Sequence, residues 1–177
     1  MNFLERCWLA ALSLAGVVLV GCSTVPASYA VPEQHLPYNP LGSARRDYIA
    51  AGDMYAPRFF VRDVVPLEGG DWRWTRAEPE LRFVLDSIDN RKLLFDFHIN
   101  ETTFKDTGPV TISFFVNKHL LGRERYETPG DHVFEKSVPA DWLQAGQETR
   151  VMARIENVWR TPEGPLGILF KRAGVIE

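Results

Sequence analysis

Residues 58–177 predict an all-β fold, a single jelly-roll-like antiparallel β-sandwich of about nine strands, and three observations carry that expectation. Apolar residues recur with a period of two, not 3.6. The runs are short and rich in Val, Ile, Phe and Trp, and they are separated by Asp-Asn, Gly-Pro, Pro-Gly and Glu-Gly pairs. Alternation marks strands with one buried face, and many such strands between turn residues mark sandwiches and barrels. No self-similar period of roughly 20 to 50 residues is present, which argues against propellers and solenoids.

The first run covers residues 58–65. Runs 72–76 and 80–86 follow, set apart from the first by Gly69-Gly70-Asp71 and from each other by Pro79. In the fourth, Leu93, Phe95, Phe97 and Ile99 point one way while Asp96, His98 and Asn100 point the other. Val110, Ile112, Phe114 and Val116 repeat the pattern, and Asn117-Lys118 then suits a tight hairpin into run 119–126. Runs 132–138, 149–159 and 166–172 complete the set. The one helical candidate after residue 58 is a single turn within 139–146.

Ahead of the sandwich, residues 22–57 read as a tether. Pro26, Pro32, Pro37, Pro40 and Pro57 fall among few aliphatics, so the segment has too little apolar surface to offset its ordering entropy. Proline keeps such a spacer extended, at about 3.1 Å per residue. Near its far end, residues 43–52 suit a short helix with Ser43 as N-cap and Gly52 just past its C-terminus.

Residues 1–21 have the layout of a secretory signal peptide: a start carrying the free amine and Arg6 against Glu5, an apolar run from Trp8 to Val20, and a small residue before the cut. A membrane span needs about 20 apolar residues, more than this run supplies. A helix buried in a globular core would need a polar face, where the run offers only Ser13. Leu19-Val20-Gly21-Cys22 resembles the lipobox of bacterial lipoproteins. That resemblance implies diacylglyceryl transfer to Cys22, cleavage before it and acylation of the new amine, giving a cell-envelope protein anchored in its membrane by lipid. Two or more acyl chains hold stably where one holds marginally. Ser23, where an Asp would imply inner-membrane retention, implies the outer membrane in a diderm source.

Cys7 and Cys22 are the only cysteines, so after processing no thiol remains for disulfides, nucleophilic catalysis or metal sites. The formal charge of −3, with mixed signs and no basic stripe, gives no electrostatic footprint for nucleic acid. His35, His98, His119 and His132 lack metal-ligand spacing, and no Gly-x-Ser-x-Gly elbow is present. Glu68, Asp96 and Glu101 do not pair as glycosidase carboxyls from sequence. No catalytic residues are expected, and the chain is not expected to be an enzyme. Asp86, Asp89 and Asn90 offer oxygen ligands for a structural calcium ion, although the same letters form an ordinary Asx turn, the favoured reading. No other cofactor is implied.

Four ordered signatures extend the picture: Gly70-Asp71-Trp72-Arg73-Trp74-Thr75; Val116-Asn117 with Lys118 where a Gly would complete the motif; Pro139-Ala140-Asp141-Trp142-Leu143 with Gly146; and Gly164-Pro165-Leu166-Gly167-Ile168-Leu169. Together they resemble a jelly-roll module with a galactose-binding-like sandwich, met beside bacterial glycosyltransferases and in carbohydrate-active or envelope proteins. Every one of these motifs is structural. The indoles of Trp72 and Trp74 share a face opposite Arg73: inside, they floor the sandwich, the favoured reading; outside, they form a platform for a sugar ring. Trp142 suits a plug at one end. Trp159, followed by Arg160 and Pro162, is the tryptophan best placed for exposure, and with Trp72, Trp74, Tyr126 and His98 it makes up the candidate ligand contacts. The expected function is a non-catalytic binding module for glycan or envelope polymer. The alternative is an assembly lipoprotein that contacts an envelope protein through one sandwich face.

Overall fold

The alternating runs become strands that bury their apolar phase. The computed structural model describes residues 46–66 and 70–177; the predicted signal peptide 1–21, Cys22 and most of the predicted tether lie outside these residues. In chain order the elements are β1 (Tyr48–Ala50), β2 (Phe60–Val64), β3 (Arg73–Val84), β4 (Lys92–Ile99), α1 (Glu101–Thr107), β5 (Val110–Val116), β6 (His119–Tyr126), β7 (Gly130–Ser137), β8 (Glu148–Ile155), β9 (Trp159–Thr161), β10 (Gly164–Leu166) and β11 (Leu169–Ile176). One layer contains β1, β11, β4 and β7; the other contains β2, β3, β8, β5 and β6. The layers join where the start of β11 meets the start of β3, at Leu169 opposite Trp74 and Phe170 opposite Arg73. Every pairing is antiparallel, and β9 with β10 forms a separate hairpin. The chain is an all-β antiparallel sandwich.

Phenylalanines hold the two layers together. Phe114 of β5 stacks on Phe134 of β7 with centroids 3.9 Å apart and planes 13° apart, and it lies 5.6 Å from Phe95 of β4. Phe83, Phe97 and Phe170 are also fully buried. Each such side chain contributes about 1.5–3 kcal/mol through removal of apolar area from water. Opposite Phe114 in the ladder sits Gly122, where a Cβ would come within 2.9 Å of the Phe134 ring. The glycine makes room for the stack.

The hairpin expected at Asn117-Lys118 is present, with φ of 46° and 72° at its two turn residues, as a type I′ turn requires. The expected turn within 139–146 is a 3-10 turn at Ala140–Trp142. Trp142 packs against the core and stacks on His119 at 4.8 Å.

Four expectations change. The sandwich begins before residue 58. In place of the helix expected over 43–52, β1 pairs with β11 (Ile49 opposite Ala173), and Ile49, Ala51 and Ala56 are buried. An open edge of β11 that accepts Ile49 into the core outweighs the capping signals of an isolated short helix. Runs 72–76 and 80–86 are one strand, β3, passing through Pro79. The β2–β3 ladder is irregular between Thr75 and Glu80, so Pro79 removes no regular ladder bond, and the Asp63 carboxylate accepts the Glu78 N–H at 2.9 Å. The run 149–159 ends as β8 at Ile155, and its last residue, Trp159, opens the β9–β10 hairpin.

The fourth change is α1, which replaces a loop. The Asn100 carboxamide oxygen accepts from the N–H groups of Thr102 and Thr103 at 2.8 and 3.4 Å. At the other end Gly108, with φ of 68°, donates its N–H to Phe104 O. Only Thr103 of this helix is fully buried, so there is no apolar stripe for a periodicity argument to find. Among the described residues, no helix is long and apolar enough to cross a membrane.

Candidate functional site

The residues singled out from sequence do not converge on one site. Thr75, Leu81 and Phe83 occupy the inward phase of β3, which puts Trp74 on the outward phase, partly exposed; Trp72, just before the strand, is 43% exposed. The core reading of these two indoles is therefore corrected. The inward place belongs to Thr75, fully buried, whose hydroxyl donates to Ile168 O and accepts from Ile168 N–H, both at 3.1 Å. A threonine satisfied by a neighbouring backbone fills a core position that an indole would overfill.

Tyr126 is buried and unavailable as a ligand contact. Its ring meets Phe97 edge-on at 5.1 Å, and its hydroxyl donates to Glu124 at 3.0 Å. Burial first, then the Glu124 charge, raise its pKa well above the usual phenol range. His98 faces Asp131 with Nδ1 2.8 Å from the carboxylate, and Lys171 lies 3.3 Å from the same group. The hydrogen bonds from His98 and Lys171 hold the Asp131 pKa below its ordinary value. The two polar neighbours that share the His98 side of the run are engaged elsewhere: Asp96 is buried and accepts from Arg172 Nε at 2.6 Å, while Asn100 caps α1.

The loop proposed for calcium is built as a turn. The Asp86 carboxylate pairs with Arg46, the Ser87 hydroxyl accepts the Asp89 N–H at 3.2 Å, and Asn90 takes a left-handed φ of 52°. Among the described residues, no three His, Cys, Asp or Glu side chains group as a metal site.

Trp159 stands in a different setting. It opens the β9–β10 hairpin, whose other arm starts at Gly164, where φ is 115°. The indole Nε1 donates to Asp106 Oδ2 at 2.8 Å, and Asp106 lies in the last turn of α1. Between them opens a cleft of about 610 Å³ lined by Asp106, Thr107, Asn157, Val158, Trp159 and Arg160. Trp159 and Val158 are half-buried, whereas Asp106, Asn157 and Arg160 are exposed. The cleft thus presents an oriented aromatic ring beside a carboxylate, an amide and a guanidinium. Among the described residues its one lining carboxyl is Asp106. The arrangement suits binding of a polar ligand with an apolar face.

Asp106 and Asn157 were not among the residues singled out from sequence, and Arg160 entered only as the neighbour of Trp159. The available signal was the capping pair Asn100 and Gly108, which brackets a helix short enough to deliver Asp106 to the hairpin.

No protein-family model matches the chain, and no curated protein does. Solved structures that resemble it include an exo-β-1,3-galactanase from Phanerochaete chrysosporium, at 8% identity over 75% of this chain and 29% of that one, with a TM-score of 0.42. A family 35 carbohydrate-binding module from Clostridium thermocellum is 9% identical over 71% of this chain and 95% of that one, with a TM-score of 0.41. The corresponding module from Paenibacillus barcinonensis is 13% identical over 73% of this chain and 98% of that one, with a TM-score of 0.39. The chain spans about three tenths of the galactanase. These likenesses concern the fold.

Proposed function

We propose that this protein is a non-catalytic glycan-binding module held at the cell envelope by lipid on Cys22, and that the Trp159 cleft is its binding site. The observation that carries the reading is the Trp159–Asp106 hydrogen bond, which fixes one aromatic ring at the wall of a cleft otherwise lined mainly by polar groups. A sugar ring has an apolar C–H face and a rim of hydroxyls. The indole face takes the first, and Asn157, Arg160 and the free Asp106 oxygen take the second. A ring already held in place loses less conformational entropy on binding.

Glycan arrays and soluble peptidoglycan titrated with the full-length protein test this directly. Saturable binding that weakens at least tenfold in Trp159→Ala supports the reading; no saturable ligand, or an unchanged Trp159→Ala, overturns it. The anchor has its own test. Cys22→Ala should move the protein from the membrane to the soluble fraction and abolish incorporation of a labelled fatty acid, and retention of both would refute lipidation at that residue.

A further inference from the structure

We infer that the outward face of the layer built from β2, β3, β8 and β5 is a second binding surface, one that takes a polyanionic glycan such as a polyuronate. The ladders align a row of residues straight across it: Arg62 opposite Glu80, Glu80 opposite Met152, Met152 opposite Phe115. With strands about 4.8 Å apart, the row extends roughly 14 Å, long enough for more than one sugar unit. Along it lies a cleft of about 570 Å³, sharing no lining residue with the Trp159 cleft.

Its chemistry differs from that of the first cleft. Arg62, Arg150, Arg154 and Lys118 line it against a single lining carboxylate, Glu80. Carboxylates beside the cleft hold the arginines: Arg62 by Nε on Glu80 at 3.0 Å and by Nη2 on Glu78 at 3.1 Å, Arg150 on Glu148 and, by Nη1, 3.8 Å from Glu80, and Arg154 by its Nε edge alone, on Glu78 at 2.8 Å. Arg154 is half-exposed, its guanidinium lies 5.2 Å from the Phe115 ring centre, and its terminal nitrogens have no partner among the described residues. The Lys118 ammonium is exposed and likewise has no partner among the described residues. Phe115 and Met152, both half-buried, supply an apolar floor that the cations flank, Arg154 over the Phe115 ring and Arg62 Nη2 3.2 Å from the Met152 sulfur.

A guanidinium fork fits a carboxylate bidentately, and an aromatic floor fits the C–H face of a sugar ring. Together they describe a uronic acid residue. An acidic peptide fits less well, because extended peptides gain affinity by adding to an open strand edge, whereas β3–β8 and β8–β5 are already paired across this face.

Native gel electrophoresis of the full chain through polygalacturonate or dextran, with added poly-glutamate as competitor, tests the assignment. Expected are retardation by polygalacturonate alone, weakening as salt rises, at least a tenfold weaker apparent affinity in Arg154→Ala/Lys118→Gly, and full retention in Trp159→Ala. Glycine at 118 suits the φ of 72° there, so the charge is removed without straining the turn, and a melting curve for each variant verifies folding. Retardation that is absent, unchanged in the double variant, or relieved equally by poly-glutamate overturns the proposal. Loss in Trp159→Ala overturns the independence of the two surfaces. Failure of the Trp159 reading alone shows as missing glycan-array and peptidoglycan binding with polyuronate retardation intact.

Discussion

The indole of Trp159 gives its N–H to Asp106, a residue 53 positions earlier that reaches it only because α1 ends there. Asp106→Ala removes an exposed charge-assisted hydrogen bond worth about 1 kcal/mol and leaves the ring free to rotate. The expected result is a two- to tenfold weaker affinity, measured by titration with whichever glycan the array identifies. Because Asp106 is exposed and outside the core, the melting temperature should fall by no more than about a few degrees.

Lys118 occupies a turn position at which a side chain is strained. With φ of 72° it sits where glycine is at ease, next to Asn117 at 46°. Lys118→Gly should raise stability by about 0.5–1 kcal/mol, part of the relief being offset by the greater freedom of glycine in the unfolded chain. Urea denaturation reads this as a higher midpoint at unchanged slope. A lower midpoint would mean that the Lys118 side chain stabilises the hairpin by more than its backbone costs.

Gly122 should tolerate no methyl group. A Cβ there lies 2.9 Å from Cζ of Phe134, itself stacked on Phe114, and overpacking of this kind costs about 1–3 kcal/mol. Gly122→Ala should lower the melting temperature, and Gly122→Ala/Phe134→Leu should recover part of the loss relative to the sum of the single changes. Strict additivity in that double-mutant cycle would show that the clash is absorbed elsewhere.

Acid sensitivity should include a contribution from Asp131. Its pKa is held below the ordinary 3.8 by hydrogen bonds from His98 and then Lys171, so below that value the unfolded chain binds more protons at this position than the folded one. The stabilisation is complete above 3.8 and is lost as pH falls through the depressed value. Denaturation midpoints across this acid range should fall less steeply in Asp131→Asn than in the parent, and identical slopes would remove the Asp131 pair from the account.

The core phases were legible because a buried face writes itself in period two. Leu93, Phe95, Phe97 and Ile99, with Val110, Ile112, Phe114 and Val116, are all buried as their alternation predicts. The phase of Trp72 and Trp74 was not legible, because a threonine bonded to Ile168 holds the inward position and composition alone favours the larger apolar residue. Helix α1 escaped notice for a related reason: its ends are fixed by Asn100 and Gly108, not by an apolar stripe. Asp96 falls on the polar phase of its run and is nevertheless buried, against Arg172, a partner 76 positions away. The candidate clefts depend on such distant pairings. Trp159 could be named from sequence, but its Asp106 partner could not, nor could the row that places Arg62, Met152 and Phe115 together.

Strand β1 lies against β11, with Ala51 N–H bonded to Lys171 O at 2.7 Å and Val175 N–H to Asp47 O at 2.8 Å. The buried Arg91 guanidinium reaches Asp47 and Glu177, at 3.3 and 3.4 Å. A pull on the chain ahead of Arg46 therefore meets the Arg46 contacts to Val84 N–H and Asp86 and then a three-residue seam with the last strand, clamped by Arg91. Mechanical failure under load should begin there, peeling β1 away while the phenylalanine core and both clefts stay intact.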